Sequence, residues 1–427
     1  MAKKNFDLIA RVTNFGQQVI KVVIAMEKEV FASSIDRRLF DVAVISENPN
    51  NHSIYYDGKR KITNIYVSDT YNGTPKKSGC YIMISLLYGQ KIEGASTVGF
   101  DTNTNKSVLL DYAYTLTQLE DIIYEGNVVV AKEQVYQFNT IKDNIIDNFI
   151  AKRSISGLHY REYTPTFDGE NKALIIWLHG AGEGGDDNLL QIVANKGGSA
   201  FAQRKIQKLF NGAYVVAPQC PTYWIPEAQN SEKDAVDYTQ KILDLILELT
   251  VHHLDIDENR IYIGGCSMGG YQTWKTIIAK PKLFAGAFPI CPAYLPTRKE
   301  VLKIKDIPIW LVHSEDDPLV PVENSILAYE RLKRVGGKAI VTIYPNIVIE
   351  GNNVHGHHAW IPTLNNYPSN DNGVHLLDWL AKQVKNKAKE VTKEPRKKKS
   401  LFVSATAALT GVSLLTFTLL KRKTKKK

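Results

Sequence analysis

The sequence predicts an α/β domain on a mostly parallel sheet with helices on both faces. It is preceded by a β-sandwich and followed by a C-terminal transmembrane helix. Three observations predict this. Residues 6–135 form short β-branched and aromatic runs separated by turn signals. Residues 150–385 alternate apolar runs of strand length with amphipathic stretches of helix length. Residues 401–420 hold no charge. The 427 residues exceed one ordinary domain. They divide into a sandwich over 1–145, an α/β domain over 150–385, a basic linker over 386–400, a membrane helix over 401–420 and a basic tail over 421–427.

The sandwich comes first. Phe40, Val42 and Val44 alternate with Asp41 and Ala43, and Tyr112, Tyr114 and Leu116 follow the same period of two, which turns one apolar face toward a core. Residues 19–25, 62–67, 81–88 and 128–130 add further runs, with turns at Asn48-Pro49-Asn50-Asn51, Asp57-Gly58 and Asn72-Gly73. Many short strands with little helical pattern give a sandwich, immunoglobulin-like in architecture but without a Cys–Trp–Cys core. Residues 141–152 read as a helix that joins the two domains.

In the second domain, residues 173–178, 214–217, 260–263, 285–290, 309–312 and 339–344 read as buried strands. Ile242, Leu243, Ile246 and Leu249 form one helical stripe; Ile326, Leu327, Tyr329 and Leu332 lie on another helix. Strand–helix alternation implies a parallel sheet covered on both faces. Residues 374–384 read as the closing helix.

The charge sits in the tail. Residues 385–427 carry fourteen Lys/Arg against two Asp/Glu, so the rest of the chain nets −3 of the overall +9. A folded body that is slightly acidic gives no support to nucleic-acid binding. Residues 401–420 have the length that crosses a bilayer as a helix, with basic clusters on both sides that leave the orientation open. Lys3 and Lys4 precede no apolar run, so no signal peptide is expected at this start. Either the chain is tail-anchored with its body on the cytoplasmic face, or it belongs on a Gram-positive-type cell surface and begins here inside a longer precursor. Cys80, Cys220, Cys266 and Cys291 are far apart, with no CxxC pair, so neither a disulfide scaffold nor a zinc site is expected.

The chemistry centres on Gly265-Cys266-Ser267-Met268-Gly269, directly after the strand Arg260-Ile261-Tyr262-Ile263 and before a helical stretch. A strand–G-x-S-x-G–helix turn lifts a serine hydroxyl out of the sheet. The turn is tight, which calls for glycine at the flanking positions. A serine needs a base, and the expected order is Ser…Asp…His. Asp316 and Asp317 follow the strand at 309–312, and His355, His357 and His358 follow the last strand. No carboxylate or cysteine stands at helix spacing from those histidines, and there is no H-E-x-x-H, so a zinc site is not expected. His179-Gly180-Ala181-Gly182-Glu183-Gly184-Gly185 follows the first strand of the domain. Backbone N–H groups of Ala181 and Met268 are the expected oxyanion donors. The same loop matches G-x-G-x-x-G, but the next strand ends in Pro218-Gln219-Cys220 without the acidic residue that a dinucleotide site needs.

Together these motifs resemble those of α/β-hydrolases. More narrowly, HGAGEGG, APQCP…W, RIYIGGCSMGGY, HSEDDPLVP and GHHAW resemble the prolyl-oligopeptidase-like branch, to which polyhydroxybutyrate-depolymerase-like and feruloyl-type esterases are similar. The match covers roughly 155–385. The sandwich in front resembles the immunoglobulin-like N-terminal domain of some bacterial esterases. The resemblance implies Asp317, before x-x-V-P, as the acid and His357, first in H-x-x-W, as the base, with Trp360 as the aromatic. His355 and His358 are then neighbours. Peptidases of the wider family carry a β-propeller, for which this chain has no length. The tail resembles Gram-positive sorting signals but lacks their LPxTG.

The expected function is a serine hydrolase of small or polymer-linked carboxylic esters, using Ser267, His357 and Asp317 with an oxyanion hole at Ala181 and Met268. His179, Gly180, Trp224 and Trp360 are the expected pocket residues, a packed core place being the alternative for Trp224. No metal or organic cofactor is expected. A serine peptidase and an inactive surface adhesion module are the alternatives. The sandwich is left to cap the site, bind polymer or mediate a homo-oligomer.

Overall fold

The computed structural model describes residues 4–132, 134–229 and 235–385. The expected linker, membrane helix and basic tail lie outside the described residues. Residues 4–385 form one compact unit.

The N-terminal part packs a mixed sheet, antiparallel except where Lys4–Thr13 pairs parallel with Tyr136–Lys142, against an antiparallel one. One has the order Tyr136–Lys142, Lys4–Thr13, Gly16–Phe31, Ser78–Leu86, Ile62–Ser68; the other runs Ile54–Lys59, Phe40–Glu47, Asp111–Gln118. Alternation along Phe40–Glu47 buries Phe40, Val42 and Val44 against Phe6, Leu8, Val22, Ile24, Ile82 and Ile84. Arg60 is almost wholly buried there. Its guanidinium donates to the carbonyls of Val19, Leu87 and Gly94 and to the Tyr114 hydroxyl, which satisfies a charge that would otherwise be expensive to bury.

The second part is an eight-stranded sheet. Its strands are β1 Phe149–Arg153, β2 His159–Tyr163, β3 Lys172–Leu178, β4 Ala213–Gln219, β5 Ile256–Cys266, β6 Gly286–Ile290, β7 Ile309–Ser314 and β8 Ala339–Tyr344. They lie in the order β1-β2-β4-β3-β5-β6-β7-β8. β1 and β2 pair antiparallel, and β3 to β8 run parallel. β3 and β4 are buried along their whole length, as strands covered on both faces must be. One apolar layer contains Trp177, Phe201, Phe210, Phe288 and Trp310; the opposite layer contains Ile242, Leu245, Ile246, Trp274 and Ile277.

Three sequence expectations need correction. Asp57-Gly58 is not a turn but lies inside the strand Ile54–Lys59, opposite Ile45 and Val44. Residues 141–152 are not a helix. Tyr136–Lys142 is a strand that pairs with Lys4–Thr13. The Asp143 carboxylate then accepts the N–H groups of Ile145 and Ile146, which turns the chain through the short 3-10 turn Ile146–Asn148 into β1. Local capping and a β-branched, aromatic run outweigh the apparent helical spacing. The closing helix is also shorter than 374–384, covering Leu376–Ala381.

The two parts share a packed seam. Val12 belongs to the apolar layer of the α/β domain, with Phe15, Val98 and Leu109 against it. Gln17 donates to Asp143 at 3.0 Å, and Asn365 donates to Asn14 at 2.9 Å.

Candidate active site

Ser267 stands between the end of β5 and the helix Met268–Ala279. Its φ of 57° and ψ of −115° are unfavourable for a residue with a Cβ. The turn is held by neighbours: Ser267 N–H donates to the Ile290 carbonyl at 2.9 Å, and the Ser267 carbonyl accepts from Ala293 at 3.1 Å. The flanking glycines are required by close approach. A Cβ on Gly265 would lie 2.3 Å from the Leu178 carbonyl oxygen, and one on Gly269 would lie 2.0 Å from it. The elbow is thus pressed against the end of β3, where the glycine-rich loop begins.

Asp317 and His357 meet although 40 residues apart. His357 Nδ1 lies 2.8 Å from Asp317 Oδ2. The other Asp317 oxygen accepts N–H groups of Leu319 and Val320 at 2.9 and 3.0 Å. Asp316 is exposed and accepts instead from Ser314. The histidine loop packs tightly on the acid loop, since a Cβ on Gly356 would come within 2.4 Å of the Asp316 backbone oxygen.

A third group completes this arrangement: His313, at the end of β7 and fully buried. Its Nε2 lies 3.1 Å from both Asp317 Oδ2 and the Val320 carbonyl. Two acceptors require the proton on Nε2, so Nδ1 accepts from the Ser325 hydroxyl at 2.8 Å. Burial alone would raise the pKa of Asp317, but donors from His313, His357 and Val320 hold it far below the usual carboxylate range. Burial likewise disfavours the His357 imidazolium, but the adjacent Cys291 sulfur and the Asp317 carboxylate outweigh it and raise the pKa. Asp317 therefore stays ionised and fixes Nδ1 of His357 as a donor, which leaves Nε2 to take a proton.

Cys291 is the neighbour that sequence reasoning missed. Its sulfur, a ring nitrogen of His357 and a carboxylate oxygen of Asp317 lie within 4.8 Å of one another. It is fully buried at the end of β6, and its thiol donates to the His357 carbonyl at 3.5 Å. These three atom types could hold a metal ion, though the Asp317 oxygen already accepts from two imidazoles.

Ala181 and Met268 each open a helical turn, Ala181–Glu183 and Met268–Ala279. The backbone N–H at such a position has no acceptor inside its own helix. The other expected pocket residues behave differently. His179 is buried, its Nε2 accepting the Cys220 N–H at 3.0 Å and its Nδ1 facing the Gly180 carbonyl at 2.6 Å; burial lowers its pKa to about 4, so the ring is a neutral strut. Trp224 is 1% exposed and donates to the His179 carbonyl, the packed alternative rather than a pocket wall. Trp360 is half-buried and meets the His357 ring edge-on at 5.5 Å.

The sandwich reaches this loop. Its hairpin, Val98–Asp101 with Lys106–Leu109, covers Gly182, where a Cβ would meet Ser107 Oγ at 3.3 Å and Phe100 at 3.7 Å. Lys106 donates to the Gly184 carbonyl at 3.1 Å and lies 5.0 Å from the Tyr223 ring centre.

Comparison with known proteins agrees with this architecture. A family model described as the esterase Ig-like N-terminal domain matches residues 5–131, and one described as phospholipase/carboxylesterase matches residues 221–350. The chain is similar to a crystal structure described as a thermostable esterase, with 32% identity and a TM-score of 0.75, over 89% of this chain and 99% of that one. It is also similar to acyl-protein thioesterase 1 of Cryptococcus neoformans var. neoformans serotype D. The identity there is 27% over 163 residues, 35% of this chain and 67% of that protein.

Proposed function

Because the chain belongs to the esterases that carry an immunoglobulin-like domain ahead of an α/β-hydrolase domain, and is a hydrolytic enzyme of that class, we propose that it cleaves carboxylic esters through Ser267, His357 and Asp317. The Ser267 hydroxyl attacks the ester carbonyl while Nε2 of His357 takes its proton. The N–H groups of Ala181 and Met268 bind the oxygen as it gains charge; losing one such donor raises a barrier by about 3 kcal/mol. His357 then protonates the leaving alcohol, and an acyl group remains on Ser267. Water attacks next, gives its proton to the same nitrogen, and frees the acid and the serine. Asp317 stays ionised throughout and steadies the imidazolium.

The observation that supports this most strongly is the 2.8 Å contact between Asp317 and His357 Nδ1, because it assigns the free nitrogen. The narrower placement in the prolyl-oligopeptidase-like branch rests on the motifs HSEDDPLVP and GHHAW. The discriminating experiment compares p-nitrophenyl acyl esters with proline-containing p-nitroanilides. Esters are expected to turn over faster; faster anilide turnover would replace the esterase reading with a peptidase one.

The proposal extends to the membrane. The uncharged run 401–420 between basic clusters would hold the enzyme at a bilayer, the basic clusters favouring anionic lipid. The full chain should stay with the membrane fraction through an alkaline carbonate wash, and release by that wash would contradict the anchor.

A further inference from the structure

We propose that Glu183 is a positioning residue for ester hydrolysis: its buried carboxylate shapes the 180–184 loop so that the Ala181 N–H meets the reacting oxygen, and it supports the positive charge that His357 gains. The inference rests on the esterase reading above.

Glu183 stands in a glycine-rich loop, where a charged residue would ordinarily face water. Its side chain turns inward instead, and the residue is only 9% exposed. Oε1 accepts from Asn195 Nδ2 at 2.7 Å. Oε2 fills the space under Gly180, 3.2 Å from where a Cβ would stand; the Cys266 sulfur and carbonyl oxygen come to 3.6 and 3.7 Å of the same point. The carboxyl is therefore wedged between the turn that presents Ala181 and the strand end that carries Ser267.

The groups around it favour an acceptor. Its own N–H and that of Gly180 face the carboxyl, Asn195 donates to it, and the His357 imidazole acts on it from the histidine loop. The Cys266 thiol faces it from β5; burial first, and the Glu183 carboxyl after it, raise that thiol's pKa. Lys106 from the sandwich and Gln219 from β4 bind the backbone on either side, at the Gly184 and Glu183 carbonyls. Gln219 also donates to the Asp187 carboxylate. Asn195 and the two backbone N–H groups all offer a hydrogen to the Glu183 carboxyl, which suits an ionised group. Burial nevertheless pushes its pKa up to about 7, with the surrounding donors and His357 opposing. Ionisation thus costs stability as pH rises through that value, a cost that a glutamine of the same shape would avoid.

The role predicts a second ionisation in catalysis. Both His357 and Glu183 must lose a proton, so log kcat/KM of the wild type for p-nitrophenyl acetate should approach a slope of 2 on the acid side, between about pH 5 and 6.5. Glu183→Gln should reduce the slope to 1 and lower kcat at pH 8 by about tenfold or more, as a displaced reacting group does, with KM changed far less. The slope is a property of the folded fraction, so it survives a partly unfolded variant; Glu183→Ala, read the same way with its unfolding midpoint, serves if the glutamine variant does not fold. A slope of 2 in either variant, or kcat of Glu183→Gln within twofold of the wild type at pH 8, would overturn the proposal. A wild type that hydrolyses no ester would sink the esterase reading, whereas an active wild type with unaltered variants sinks only this one.

Discussion

Ser267→Ala lowers kcat for ester hydrolysis by about 10⁶-fold, the loss expected when the nucleophile of a serine triad is removed. The fold should not follow. Alanine bears a Cβ like serine, so the backbone strain at φ 57° is unchanged. The serine side chain caps nothing at the start of its helix, so its loss leaves no buried partner unsatisfied. The elbow itself is held by backbone bonds to Ile290 and Ala293, which the substitution keeps. Kinetics with a p-nitrophenyl ester and a thermal unfolding curve read the two halves of this expectation. An unfolding midpoint near the wild-type value with hydrolysis gone is the expected result. Undiminished hydrolysis would remove Ser267 from the mechanism.

Asp317→Asn should cost about 10⁴-fold in kcat with a smaller change in KM. The amide matches the carboxylate in shape but brings a donor to a place surrounded by donors. His357 Nδ1, His313 Nε2 and the N–H groups of Leu319 and Val320 all point at this side chain. The amide can accept on one atom only: with its oxygen kept on the Leu319 and Val320 N–H groups, its NH2 faces both imidazoles, which must then change their tautomers. When His357 does so, its proton moves to Nε2 and the base is lost. The linkage has a sign: a carboxylate whose folded pKa is depressed adds stability above its unfolded pKa, near 4, and loses it as pH falls below. The variant should therefore be less stable than the wild type at pH 7 and approach it in acid. A kcat within tenfold of the wild type would show that the Asp317–His357 contact does not govern the proton.

Some of this was legible because it follows from local chemistry. The strand before Ser267 and the glycines around it are visible as a pattern, and close approach to the Leu178 carbonyl explains why those positions tolerate no side chain. Six of the eight sheet strands carry a mainly apolar run, which is how a strand with both faces covered reads. β1 and β2 escaped because β1 is the edge strand, β2 lies next to it, and both mix charged or polar residues (Lys152, Arg153, His159 and Arg161) with apolar ones. His313, Cys291 and Glu183 escaped for another reason. Each is an ordinary residue in sequence, a strand-end histidine, a lone cysteine and a loop glutamate, and only burial beside a distant segment gives it a task. The seam between the sandwich hairpin and the Gly182 turn joins segments about 75 residues apart, and no local pattern announces it.

The central claim is that Ser267, and no other group near His357, carries the acyl intermediate. Cys291 is the informative competitor, since its sulfur stands within 4.8 Å of the same imidazole and carboxylate. The direct measurement is mass spectrometry of the active full-length protein after treatment with a fluorophosphonate, with the modified peptide sequenced. The account predicts one phosphonyl group on Ser267, formed with loss of fluoride and of activity, and absent from Ser267→Ala. A phosphonyl group on Cys291, or full loss of activity with Ser267 unmodified, would contradict it.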